Sequence, residues 1–236
     1  MSKIEVDADH YVKFYNSWIK FVNDNEIIGK YFNAELDKFE FEKIEDVAKI
    51  FHYFIQIRNT FNRLGSITEY ISWTPRTRDM DSRFDFLLYH LENHYHEMYI
   101  LKERLIALFN VLPRFYDQHR FYKKLQNSTD KACKTVSNKF KKYTNVRSEH
   151  VHSNRISKEE INKFNKFKFL LENTDIEFTD EAAFAMYNDD YKELKKDWTA
   201  KLENRTVEAY EISDQAFSYI NPIVINNEGD LIQPNK

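Results

Sequence analysis

SRFDFLLYHLENHYHEMYILKERLIALFNVL, residues 82–112, is the stretch whose reading decides the fold. Phe84, Leu88, Leu91, Tyr95, Met98, Leu105, Phe109 and Leu112 recur in it at close to alternating three- and four-residue steps. Residues so spaced line one side of a helix with 3.6 residues per turn, whereas a strand alternates every second residue. Pro113 follows and is expected to end the helix, because proline has no amide hydrogen and its ring clashes with the preceding turn. At ~1.5 Å per residue the helix would be about 45 Å long. That is more than one layer of a small domain needs, so it reads as the spine of a bundle whose apolar surface is shared with a second copy of the chain.

Outward from the spine the same periodicity recurs. Tyr11, Val12, Tyr15, Trp18, Ile19 and Val22 give an amphipathic helix over 9–22, stopped by Asn23, Asp24 and Asn25. Ile44, Val47, Ile50, Phe51, Phe54, Ile55 and Phe61 give a second over 42–63, with Gly65 as its C-terminal cap. Trp73, Pro75, Arg76 and Arg78 fall in a proline-broken connection read as an ordered loop. Residues 114–147 read as a helix or a broken pair. Ser157 and Glu160 have capping-box spacing and should start a helix to about Glu172. A long helical pattern then runs over 179–219, and 221–236 suit a tail in which Ile223 to Ile225 could dock as a short strand. The expected fold is all-α, an up-and-down bundle of five to seven helices with no sheet of any size: one domain over 1–220 and the tail.

Composition agrees. Three glycines and four prolines in 236 residues argue against a turn-rich β fold, and 20 Phe with 15 Tyr predict a core filled by rings. A net charge of −3 gives no global attraction to nucleic acid, so any such binding must come from a local patch. The single cysteine, Cys133, excludes an intramolecular disulfide and suits a reducing compartment. No apolar run approaches the ~20 residues that span a bilayer, and the N-terminus lacks a signal-peptide stretch. The expectation is a cytoplasmic protein with no membrane partner. No glycine-rich phosphate loop is present, which argues against an ATPase or dinucleotide enzyme.

Chemistry is concentrated in NVRSEHVHSNR, residues 145–155. Arginine holds a phosphate in a fork of donors and histidine moves a proton near neutral pH, so Arg147 and His152 could converge on one phosphate if a helix ended or started between them. Ser148, Glu149 and His150 stand between the two, and the motif is read as a junction between helices. Directly before it lie Lys123, Lys124, Lys131, Lys134, Lys139, Lys141 and Lys142 against Asp117 and Asp130, with Phe121, Tyr122, Phe140 and Tyr143 interleaved. Such a stretch can follow a phosphate backbone and offer rings for stacking. Its plain alternative is a solvated lysine-rich helix face.

His90 and His94, with Glu97 three residues further on, have the spacing of metal ligands on one helix face. No His-Glu-x-x-His sequence accompanies them, and no third and fourth ligand is evident, so no metal is expected. Cys133 has no neighbouring base to make it a nucleophile.

The 145–155 stretch resembles the Arg-x4–6-His signature of HEPN domains, and His90 to Glu97 running on to Leu112 resembles the long upstream helix of one HEPN branch. Together the two segments cover about a seventh of the chain. The resemblance implies a helical protein that cleaves RNA without a metal or cofactor, with two motifs facing each other across the cleft of a homodimer. On that reading Arg147 and His152 are catalytic, Ser148, Glu149 and His150 assist, and Lys139, Lys141, Lys142, Tyr143 and Arg155 bind RNA. Family members often serve in toxin or antiviral defence systems, so an antitoxin or a nucleotidyltransferase is an implied partner. Ser148 stands where the family usually carries Asn, Asp or His. That departure keeps a non-catalytic RNA- or nucleotide-binding module as the alternative.

Overall fold

The computed structural model describes residues 9–25, 44–73, 80–153 and 180–233, and for 44, 80–81, 144–153 and 180–187 the backbone alone. The helix expected over 157–172, the connection from Thr74 to Arg78 and Arg155 lie outside these residues. The described chain is mostly helical: α1 (Asp9–Asp24), α2 (Ile44–Ser72), α3 (Met80–Phe115), α4 (Tyr122–Ser153), α5 (Asp180–Ser218) and a short α6 (Asn221–Val224). Among the described residues the only β pairing is a single antiparallel bridge between Ile225 and Leu231. None of the described helices is long and apolar enough to cross a membrane.

Three expected boundaries move. Gly65 does not cap α2, which runs on to Ser72. Leu64, Ile67 and Ile71 continue the buried face past it, and their burial outweighs the roughly 1 kcal/mol that a glycine costs in a helix interior. Pro113 lies inside the last turn of α3, and the chain turns only at Phe115, where the Tyr116 amide donates to the Pro113 carbonyl at 3.1 Å. The third correction bears on function. Helix α4 continues unbroken to Ser153, so residues 147–152 form part of a helix and not a junction.

The chain divides into two compact units, and α2 to α5 each contribute residues to both. The first comprises 1–62, 99–141 and 207–236. Phe14 is fully buried against Phe54 and Phe217, with ring centroids 5.3 and 5.1 Å away, and Trp18 meets Phe115 edge-on at 5.4 Å. The free amides at the start of α1 are satisfied from a distance: His10 and Tyr11 both donate to Asp214 Oδ1, at 2.7 and 3.0 Å. Residues 221–233 are not a free tail. Ile223, Val224, Ile225 and Leu231 are buried, and Asn221 Nδ2 donates to the His10 carbonyl at 2.8 Å. The turn between the bridged residues is closed by Asn226, whose Oδ1 accepts from the Glu228 and Asp230 amides, and by Gly229 at φ 87°.

The second unit comprises 63–98 and 142–206. Its buried residues include Leu64, Ile67, Leu87, Leu91, Met98, Tyr191, Trp198 and Leu202, together with the polar side chains Thr68, His94 and Thr206. Thr68 and Thr206 satisfy their hydroxyls within their own helices by donating to the carbonyls four residues back, Leu64 and Leu202.

Candidate functional site

Helix α4 forms because one stripe of it is apolar or small and the remainder is soluble. Leu125, Thr129, Ala132, Val136, Phe140 and Tyr143 follow one another at three- and four-residue steps, and all are buried. Lys123, Lys124, Lys131, Lys134, Lys139, Lys141 and Lys142 occupy the other rows and are exposed. Lys131 Nζ lies 4.1 Å from the centroid of the Tyr219 ring, and Lys142 Nζ lies 5.0 Å from that of Tyr143. The lysine stripe is therefore outward-facing as a phosphate path requires. The interleaved rings are not. Phe140 and Tyr143 are buried, and Phe121 and Tyr122 half-buried, so Tyr143 packs into the protein and does not stand ready for a base.

Arg147, Ser148, Glu149, His150 and His152 fall on the last two turns of α4. Continuing the helical register, position 147 follows 140 and 143 at four- and three-residue steps, and 150 follows 147. Position 152 follows the row of 134, 138, 141, 145 and 148. In one straight helix, positions 147 and 152 stand about 140° apart around the axis and ~7.5 Å along it. Convergence of the pair through a helix end between them is thus ruled out by the unbroken backbone.

The histidine pair on α3 sits in the second unit, in two different environments. His94 is fully buried, and its Nε2 lies 3.2 Å from Thr206 Oγ1. Because the Thr206 hydroxyl hydrogen goes to the Leu202 carbonyl, the Thr206 oxygen accepts here, and the imidazole carries its proton on Nε2. Burial, reinforced by the nearby Arg205 charge, lowers its pKa to about 3. His90 is only partly buried, and the loss of water again lowers its pKa. Glu97, the third residue of the row, is engaged by Arg63, whose Nε approaches Oε1 to 2.8 Å. Arg205 donates to the Tyr95 hydroxyl at 2.7 Å and lies over the Tyr95 and Trp198 rings. Among the described residues no three His, Cys, Asp or Glu side chains gather as metal ligands do. The Cys133 thiol, pushed up to about 11 by burial and then by Asp130, stays protonated at neutral pH.

Sequence reasoning also missed a surface cluster in the second unit, where Tyr70, Trp73 and Tyr89 are exposed around His90. The only signal for it in the sequence is Trp73 standing in the polar run at the end of α2. The chain belongs by its described structure to the all-helical class. Comparison with family models, with curated proteins and with solved structures gave no match.

Proposed function

We propose that this protein is a metal-independent endoribonuclease of the HEPN kind, a helical bundle that works as a homodimer. The observation that carries the reading is an Arg-x4-His pair on the last turns of a helix that exposes seven lysines on the turns ahead of it. Those lysines bind the phosphate backbone with little regard to sequence. Arg147 stabilises the charge that builds on the phosphoryl oxygens, and His152 takes the proton from the attacking ribose 2′-hydroxyl. The new bond joins the 2′-oxygen to phosphorus and the bond to the 5′-oxygen breaks. The products are a 2′,3′-cyclic phosphate and a 5′-hydroxyl end that has gained a proton. Ser148 or Glu149 orients the imidazole or the substrate, His150 stands as the nearest substitute for His152, and Arg155 extends the RNA contact. Because one helix holds positions 147 and 152 on different rows, a cleft between two copies is the arrangement that brings an arginine and a histidine to one phosphate.

Arg147→Ala and His152→Ala should each lower cleavage of labelled RNA by about 100-fold or more, with circular dichroism unchanged. Full activity in His152→Ala would reassign the proton-transfer role, for which His150, three residues from Arg147, is the next position on the helix.

A second reading is favoured by Ser148 and by the unbroken helix through the motif. On it the chain is a non-catalytic RNA- or nucleotide-binding module paired with a toxin or a nucleotidyltransferase. Wild-type protein that binds RNA and never cuts it would select this reading.

A further inference from the structure

In the second unit a connected set of rings reaches the surface. Trp73 meets Tyr70 edge-on at 5.5 Å between centroids, and Tyr70 lies 5.8 Å from His90, which in turn touches Phe86 at 4.4 Å and Tyr89 at 5.2 Å. Trp73, Tyr89 and Tyr70 are 59%, 60% and 43% exposed, while Trp18 and Trp198, the other tryptophans, are 1% exposed. Contiguous large rings left in water mark a surface that something covers.

Two cations border the set. Lys195 Nζ donates to the carbonyl of Ser72, the residue before Trp73, at 3.0 Å. Arg83 stands on the same row of α3 as Phe86 and His90, three and seven residues before them, and donates to Asn188 Oδ1 at 2.9 Å. Burial, and after it the Arg83 charge, lowers the proton affinity of Lys195.

We propose that this patch is a stacking platform for a short single-stranded segment of RNA, with bases on Trp73, Tyr70 and Tyr89 and the intervening phosphates against Arg83 and Lys195. The proposal rests on the RNA reading above but not on the Arg147–His152 chemistry. Rings with exposed π-faces accept any base, and guanidinium and ammonium groups beside them accept the linking phosphates. A purely apolar partner would use the rings and gain nothing from the cations. Exposed Glu69 and Asp85 adjoin Tyr70 and Phe86 in sequence and limit the positive area. The segment held is therefore two or three nucleotides, and its affinity comes mainly from stacking, in contrast to the lysine stripe of α4.

The probe is a short 2′-O-methyl oligouridylate, which lacks the attacking hydroxyl and cannot be cut. Binding should quench tryptophan fluorescence, because Trp73 is the tryptophan in reach of solvent. The quench should disappear in Trp73→Phe, which keeps a ring and should keep most of the affinity. Trp73→Ala and Tyr89→Ala should each weaken binding about tenfold, the order measured for losing one stacked base. Affinity that is equal in wild type and in the Trp73→Ala/Tyr89→Ala double variant would overturn the platform and leave the RNA reading standing. A double variant that sediments differently but binds RNA equally would also overturn it, in favour of protein docking. Failure of wild type to bind any RNA would overturn both readings.

Discussion

The two compact units both bury rings and hydroxyls, and differ in that the second closes completely over an imidazole, His94. The first is packed with rings: Phe14, Trp18, Phe54, Phe109, Phe115 and Phe217 are all at most 1% exposed. It also buries the hydroxyls of Ser17, Thr60, Thr129 and Ser213, which donate to carbonyls of their own helices, while Asp214 holds the start of α1. The second encloses an imidazole and two threonine hydroxyls, with Arg205 on Tyr95 and an Arg63–Glu97 pair nearby. Ring burial is a transfer from water that is indifferent to pH. A buried imidazole is different, since it must stay neutral for the unit to stay folded. The fully buried His94 imidazole therefore ties the stability of the second unit to pH.

The largest expected effect breaks the first unit. Trp18→Ala removes the indole that meets Phe14, Phe21, Phe54 and Phe115, and it should cost about 3–5 kcal/mol in urea unfolding. A loss under about 1 kcal/mol would mean that the aromatic core is not what holds this unit together.

The next effect sharpens the contrast through pH. His94 titrates near its ordinary value of 6.5 in the unfolded chain and near about 3 when folded, so between those values the unfolded chain binds the additional proton. Stability is then complete above pH 6.5 and falls as the pH drops from 6.5 towards 3, by up to about 1.4 kcal/mol per pH unit. His94→Gln should flatten this acid limb, whatever it costs at neutral pH. An unchanged limb, read from urea midpoints across that range, would show that the second unit owes its acid response to other groups.

Most of the helical architecture was legible, because burial in this chain follows local periodicity. The six apolar residues of 9–22 fall within α1, and the spine reading covers most of α3. What failed was the weight given to single punctuating residues. Gly65 was read as a stop although Leu64, Ile67 and Ile71 carry the pattern through it. The composition of 221–233 suggests a tail because its anchors, Asn221 on the His10 carbonyl and Ser17 on the Gly229 carbonyl, tie residues more than 200 positions apart. For the site, the lysines could be placed outward from sequence. Tyr143 could not be recognised as buried until its row from Leu125 was followed, and the surface rings depend on contacts between α2 and α3 that no spacing reveals.

The smallest expected effect follows from one of these misreadings. A Cβ added at Gly65 meets nothing within 4 Å, so Gly65→Ala should raise stability by about 0.5–1 kcal/mol through better helix propensity. Destabilisation instead would show that α2 needs the flexibility of glycine at this point and is not one continuous helix.

The most direct test of the functional account is incubation of the purified protein with end-labelled RNA in EDTA, beside the same RNA carrying a single 2′-deoxyribose at the mapped scissile position. The account predicts cleavage of the first to a 2′,3′-cyclic phosphate end, loss of that cut in the second, and loss of both activity and product in His152→Ala. Cleavage that stops on chelation and returns with zinc or manganese, or that proceeds unchanged at the deoxy position, would contradict it.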